Sequence, residues 1–533
     1  MYDLLIKEGF LIDGTGKKGR VGDVAVAGQR IVKIADSIDG DAKVVIEAKG
    51  KIVSPGFIDV HTHDDLVFDI DPMNMPKLRQ GVTTVITGNC GFGAAPAAIH
   101  CRRDLADYNV PILGAQAQKF LFETFGEYMV YMETVKKAIN VACLVPHGAV
   151  YLSANGFTDR APGKEELERE RAYVKGAMEA GALGLSLGLM YAPGCYSKEE
   201  ELMLLAKEVG ARGGIVTIHM RSESEGFSES VQAAARLSLQ CQVPVEISHL
   251  KHVGTGYRGD MRQKLAWLKG LMDQGADLSF DMYPYTMGST TMAILFPTEY
   301  LRSGVKKLLE GLSDEKFREA VTKRLRESWG EEDNLSLLCG WENVILSSAA
   351  TRKNREFMGL SVKEIADRRQ MGEEAVFMDL FLEEQGEASI LLNHIAQEDM
   401  EETILFPGVS VASDGLPGAG SPHPRLYGTF PKFLREFVRE KGLLTWEEAI
   451  HKITWQPAKR FGLEKRGRLE EQYFGDLTIF DPETISDQAD FSDPRRFPEG
   501  IQCVIVNGCV AWQEGGIPKA GQGKLIRRRQ SNL

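Results

Sequence analysis

The chain contains no run of 18 apolar residues, so nothing in it reads as a membrane span. Its opening, Met1-Tyr2-Asp3-Leu4-Leu5-Ile6-Lys7, lacks the basic region and apolar core of a signal peptide and reads as a strand. There is no surplus of positive charge. The net charge of -12 argues against the basic face that nucleic-acid binding needs. The one basic run, Arg527-Arg528-Arg529, reads as a solvated tail. The 8 cysteines show no disulfide-framework spacing, which fits reduced thiols in a cytoplasm. A homo-oligomer is compatible with these features, but no residue pattern demands one.

What is present begins with size. A length of 533 residues exceeds what one small core needs, so more than one structural unit is expected. Residues 1–55 read as short strands and turns with no helix-period stretch between them. From residue 52 onward, short and nearly continuous apolar runs alternate with helix-length segments. The runs are 52–63, 82–90, 141–147, 182–189, 215–219, 243–249, 276–283 and 409–414. Continuous apolar character marks strands buried on both faces, as in a parallel sheet. Eight such runs with helices between them predict a (β/α)8 barrel of the TIM type over residues 56–462.

Residues 286–407 are too long for a loop and read as a subdomain inserted between the seventh and eighth strands, at the barrel mouth, where it could act as a lid. After the barrel the chain returns to strands, with Asn507-Gly508 as a two-residue hairpin turn. Residues 463–533 are expected to join 1–55 in a small β-sandwich built from both termini.

The chemistry lies at the strand ends. In Gly56-Phe57-Ile58-Asp59-Val60-His61-Thr62-His63-Asp64-Asp65, the two histidines stand two apart and project from one strand face, half of a metal site. Cys90 ends the second run, His219 the fifth, His249 the sixth and Asp414 the eighth. In such a barrel these ends meet at one face, where the active site lies. His147 ends the third run and is read as a support behind the ligands, whereas His100 and His451 are read as ordinary surface or core residues.

At these residues the chain is similar to the N-acyl-D-amino-acid deacylases (D-aminoacylases) of the amidohydrolase superfamily. The likeness runs through Pro55–Asp65, Gly88-Asn89-Cys90-Gly91, Gly188-Leu189-Met190-Tyr191, Ile247-Ser248-His249 and Asp281-Met282-Tyr283-Pro284-Tyr285. It continues in Ser413-Asp414-Gly415 and His423-Pro424-Arg425-Leu426-Tyr427-Gly428-Thr429-Phe430. The resemblance implies one tightly held zinc on Cys90, His219 and His249, with His61, His63 and Asp414 flanking it and able to hold a second, weaker ion. It implies Asp414 as general base, and a small-molecule substrate whose free α-carboxylate is gripped by Arg425. Tyr191, Tyr283 and Ser289 are then further pocket contacts, and Lys251 a candidate for an acidic substrate side chain. Two places depart from the family: His147-Gly148-Ala149-Val150 runs into Tyr151 where an arginine often follows, and Asn393-His394 finds no counterpart.

Two other readings stand beside this one. A cyclic amidase of the dihydropyrimidinase or dihydroorotase kind would need a carboxylated lysine on the fourth strand, and residues 182–189 contain no lysine. A non-catalytic scaffold on the same fold would be expected to have lost ligands, and all six are present.

Overall fold

The computed structural model describes residues 1–330, 332–417 and 420–528; Arg529 of the basic tail lies outside them. The apolar runs form β1 (Phe57–Asp59), β2 (Val82–Thr87), β3 (Asn140–Cys143, continued by Val145–Pro146) and β4 (Gly184–Gly188). They continue as β5 (Ile215–His219), β6 (Val245–Ile247), β7 (Leu278–Met282) and β8 (Val409–Val411). Every residue of these strands is buried, as the unbroken apolar character requires. They pair in parallel in sequence order from β1 to β8.

The ring closes at its mouth. Thr62 and Gly415 form a parallel bridge, the Asp414 amide donates to the His61 carbonyl at 2.7 Å, and His63 N donates to Gly415 O at 3.0 Å. Below that closure a buried staple joins β1 to the residue after β8. Lys77 Nζ lies 2.7 Å from Asp59 Oδ2 and also contacts Ser413 Oγ, while Ser413 N donates to Asp59 Oδ1 at 2.9 Å. Lys77 and Asp59 are both 0 % exposed, so the pair holds the two ligand-bearing segments together in a dry setting.

Two of the expected strands end differently. The run 52–63 divides: Ile52–Pro55 joins the terminal sheet, Phe57–Asp59 joins the barrel, and Gly56 turns between them. A Cβ on Gly56 would stand 2.2 Å from Thr83, so only glycine fits that crossing. His147 opens the helix His147–Asn155 instead of ending β3, because the strand stops at Pro146.

The two termini join in one eight-stranded sheet. Tyr2–Leu11 pairs along its first half with Ala42–Glu47 and near its end with Ile52–Pro55, so the sheet forks at Glu8, whose φ is 55°. The two leaves enclose a core that includes Leu4, Ile46, Val53, Leu477 and Ile505. The segment between β7 and β8 builds its own antiparallel sheet from Met287–Thr291, Val344–Leu346 and Ser389–Asn393, over a separate core of Phe296, Phe377, Phe381 and Ile390. Among the described residues no helix is long and apolar enough to cross a membrane.

Glu246 on β6 is 1 % exposed and accepts a hydrogen bond from Ser279 Oγ. Burial pushes its carboxyl up to about 7, against the opposing pull of Arg460. The folded protein therefore holds this proton more tightly than the unfolded chain, in which the carboxyl keeps its ordinary value of 4.5. Stability from this group is complete below that value and is lost as pH rises to about 7, a change of about 3 kcal/mol. Glu246→Gln is expected to flatten this slope. Urea unfolding at about pH 5 and about pH 8 checks it; an unchanged slope refutes the assignment.

Candidate metal centre

The candidate ligands are delivered at strand ends, three of them (Cys90, His249 and Asp414) with left-handed backbone geometry. Cys90 follows β2 on a tight turn with φ of 83° at Gly88, 53° at Cys90 and 75° at Gly91. Side chains on neighbouring elements fix that turn: Ser186 Oγ donates to Gly88 O and accepts from Gly91 N, and Asn89 Nδ2 donates to Ile86 O at 2.9 Å. A Cβ on Gly188 would stand 2.0 Å from Cys90 O, which is why β4 ends in glycine. His249 (φ 36°) and Asp414 (φ 46°) also occupy the left-handed region. Non-glycine residues adopt it at a cost of about 1–3 kcal/mol each, and such positions concentrate at functional sites.

The six side chains converge. Three overlapping sets, His61/His63/Cys90, Cys90/His219/His249 and His61/His249/Asp414, each offer ligand atoms within 4.8 Å of one another. All six residues are buried. Cys90 belongs to two of the sets: its Sγ is 3.2 Å from His61 Nε2 and 3.6 Å from His249 Nε2. Asp414 Oδ1 is 3.3 Å from Nε2 of both His61 and His63.

Carboxylates behind two of the histidines aim their rings. His61 Nδ1 lies 3.1 Å from both oxygens of Asp281, and Asp281 Oδ1 also accepts from the His249 amide at 2.9 Å. His249 Nδ1 is 3.0 Å from Glu223 Oε1 and 2.9 Å from Lys251 Nζ. With Nδ1 engaged in each ring, Nε2 faces the centre, the arrangement that orients metal-binding imidazoles. Among the described residues neither nitrogen of His219 has a partner, although the residue is only 5 % exposed. Such an orphaned buried imidazole fits a missing ligand.

The electrostatics agree. Burial, aided by His249, holds His219 well below the usual imidazole range, and burial with Lys251 does the same for His249. Both are neutral and able to donate electron pairs. Burial alone would discharge His61, but Asp281, Cys90 and Asp414 outweigh it and hold it well above that range. Burial opposes ionisation of Asp414, yet Arg425 and His61 prevail and keep its carboxyl well below the usual carboxylate range.

The expected substrate contacts lie around this cluster. Arg425 is 0 % exposed at the start of the helix Arg425–Phe433. Its Nη2 lies 2.9 Å from Asp414 Oδ2 and 3.3 Å from Ser289 O, while Nε and Nη1 have no partner among the described residues. Tyr283 lies under the guanidinium, 4.5 Å from ring centroid to Cζ. The Tyr191 ring packs 4.7 Å from that of His219, and its hydroxyl is 3.0 Å from Thr290 Oγ1. His63, Cys90, Tyr191, His219, His249, Lys251, Tyr283, Ser289 and Asp414 line one narrow chamber, to which the inserted segment contributes Ser289 and His394. The chamber shares Phe92, Met190, Tyr191 and Ile294 with a cavity of about 600 Å³ whose lining mixes apolar residues with charged ones such as Asp107, Arg221 and Asp333.

Lys251 lines the chamber with its ammonium 2.7 Å from Glu223 Oε1 and 2.9 Å from His249 Nδ1. Sequence reasoning assigned no role to Asp281 or Glu223. Asp281 stood in the quoted strand-end motif, two residues before Tyr283, and Glu223 four residues past His219; each had only that position as a signal. His147 does not line the chamber, His100 is exposed, and His451 Nδ1 bonds Gly14 O at 2.8 Å, the ordinary roles expected for the last two.

Comparison with known proteins converges on one group. An amidohydrolase family model matches residues 44–332 and 403–511, so its gap falls within the inserted segment. The chain is 33% identical over 530 residues to a D-aminoacylase of Alcaligenes xylosoxydans xylosoxydans, covering 99% of this chain and 98% of that one. It is also 33% identical over 531 residues to an N-acyl-D-glutamate deacylase of the same organism, covering 99% and 97%. The fold superposes on the crystal structure of N-acyl-D-glutamate deacylase from Bordetella bronchiseptica, with a TM-score of 0.84, 30% identity and 99% of each chain covered. That enzyme was crystallised with zinc and a phosphonate that mimics the tetrahedral intermediate of its reaction. With a strand-end thiol, four converging imidazoles and likeness along its whole length, the chain belongs to the amidohydrolase family, in the branch of the D-aminoacylases and N-acyl-D-amino-acid deacylases.

Proposed function

We propose that this protein is a zinc-dependent hydrolase of linear amides, cleaving N-acyl-D-amino acids or related D-residue dipeptides into a carboxylate and a free D-amino acid. The observation that carries this reading is the meeting of one thiol and two neutral imidazoles beside Asp414 and Arg425. Thiolate and imidazole suit Zn²⁺, and three protein ligands leave a position open for water. Cys90, His219 and His249 would hold the tighter ion, and His61, His63 and Asp414 a weaker second one. When bound, zinc lowers the pKa of water toward ~7 and polarises a carbonyl.

The chain's own residues do the rest. Asp414, kept ionised by Arg425 and His61, takes a proton from the attacking water and passes it to the leaving nitrogen. Arg425 has Nε and Nη1 unpartnered among the described residues, and Nη1 with Nη2, the latter shared with Asp414, would fork onto the substrate α-carboxylate. Ser289, Tyr191 and Tyr283 complete the walls around it. Lys251, paired with Glu223 and beside His249 Nδ1, helps to position that ring, and as a chamber-lining cation it stays the candidate contact for an acidic substrate side chain. The apolar lining, including Ile112, Leu392 and Leu416, favours substrates with apolar side chains or acyl groups. All 8 cysteines are free thiols, in keeping with a cytoplasmic enzyme.

A cyclic amidase is disfavoured by β4, where Gly184-Leu185-Ser186-Leu187-Gly188 offers no lysine and Ser186 is committed to the Cys90 turn. The test is a panel of N-acetyl-D-amino acids, N-acetyl-L-amino acids, D-residue dipeptides and hydantoins assayed for released amine. Turnover of the D-amides is expected; turnover of hydantoins alone would overturn the reading. Arg425→Ala is expected to raise KM roughly 10- to 10²-fold, the worth of one charged hydrogen-bond pair, and Arg425→Lys less. Unchanged steady-state kinetics would remove Arg425 from the substrate site.

A further inference from the structure

A second buried group of metal-capable side chains, sharing no residue with the six-ligand cluster, lies where three helices meet. His147 opens His147–Asn155, Glu170 lies in Lys164–Glu179 and Glu201 in Glu199–Gly210. One ligand atom from each lies within 4.8 Å of the others. Exposure is 0 % for His147 and Glu170 and 5 % for Glu201.

These groups are not satisfied by one another. His147 Nε2 stands 3.6 Å from Glu201 Oε1, beyond hydrogen-bond reach. Among the described residues, both nitrogens of His147, Oε2 of Glu170 and Oε2 of Glu201 have no partner. The remaining oxygens are held from outside: Asn155 Nδ2 donates to Glu170 Oε1, and Ser197 Oγ to Glu201 Oε1 at 2.5 Å. Two donors each about 2.1 Å from a shared ion stand roughly 3.0–3.4 Å apart, close to the spacing His147 and Glu201 already keep.

Charge also points to a cation. Among the described residues, His147 is the only basic side chain within ion-pair distance of either glutamate. Two buried carboxylates facing one imidazole lack a full countercharge, and uncompensated buried charge is expensive. A divalent ion against two carboxylates and a neutral imidazole would make the group electrically neutral.

We propose that His147, Glu170 and Glu201 form a structural divalent-cation site, separate from the barrel-mouth cluster and suited to Mn²⁺ or Zn²⁺, which accept mixed carboxylate and imidazole donors. The ion fastens three helices beneath the segment that follows β4. Ser197 of that segment bonds Glu201, and a Cβ on Gly194 would stand 3.6 Å from His147 Nδ1. The same segment carries Met190 and Tyr191, which wall the chamber. The three residues are thus positioning residues for that wall and touch no substrate.

The test uses the full chain, stripped with a chelator and reloaded with Mn²⁺ and Zn²⁺. Metal equivalents are counted by plasma mass spectrometry for the wild type, Glu170→Gln, Glu201→Gln and His147→Gln. Each variant is expected to lose one equivalent while Cys90 stays protected from thiol reagents by the ion it holds. Wild-type crystals soaked in Mn²⁺ should show an anomalous peak between the three side chains, a readout that stands even where a variant fails to fold. Equal metal content in wild type and Glu170→Gln, or no peak in the soaked crystals, would overturn the proposal.

Discussion

Replacing Asp414 by asparagine lowers kcat/KM by roughly 10²- to 10⁴-fold while the tighter zinc equivalent stays in place. Asparagine keeps the shape and one acceptor oxygen but cannot take a proton. At the wild-type position the carboxylate is held ionised by Arg425, 2.9 Å away, and faces His61 and His63 at 3.3 Å. Cys90, His219 and His249 are untouched by the change, so metal content and activity separate. At about 1.4 kcal/mol per decade the expected loss is about 3–5 kcal/mol of transition-state stabilisation. Steady-state kinetics with metal analysis of the same sample decide it. Activity within about tenfold of wild type would assign the proton transfer to another group.

Cys90→Ala is expected to empty the tighter position and abolish turnover. A zinc site built on protein donors is worth about 10–16 kcal/mol, so one donor's share is about 3 kcal/mol or more, roughly 10²-fold or greater in affinity. Because Cys90 contacts His61 as well as His249, the change disturbs both overlapping ligand sets. A folding defect is separable from a ligand defect by Cys90→Gly. Glycine relaxes the left-handed backbone at φ 53°, so that variant should be at least as stable as Cys90→Ala and still fail to hold zinc. Calorimetric zinc titration and thermal unfolding of both variants check this pair of results. Full zinc affinity in either variant would take Cys90 out of the site.

The barrel and its ligands were legible because their signals are local. Continuous Val, Ile and Leu runs follow from burial on both faces, and a strand-end position places His61, His63, Cys90, His219, His249 and Asp414 at one mouth by topology alone. The partners that hold these residues were not. Lys77, Asp59 and Ser413 lie far apart in sequence and meet only because the ring closes. Glu223 and Asp281 are single carboxylates among many, and nothing in their spacing marks them as the groups that aim two histidines. The group of His147, Glu170 and Glu201 was equally silent, since it draws one residue from each of three helices. The division of 52–63 between two sheets turned on Gly56, whose need is set by Thr83 across the junction.

The forked terminal sheet also dictates an order of assembly. Ile52–Pro55, directly before β1, takes Leu477–Phe480 as its partner on one side. Residues 524 and 526 pair with Val141 on β3. During synthesis from the N-terminus the first barrel strand therefore emerges hundreds of residues before the segments that brace it. Until then Ile52–Pro55 keeps one edge unpaired at the end of the barrel opposite its mouth, and the late strand Leu477–Phe480 acts as a latch there.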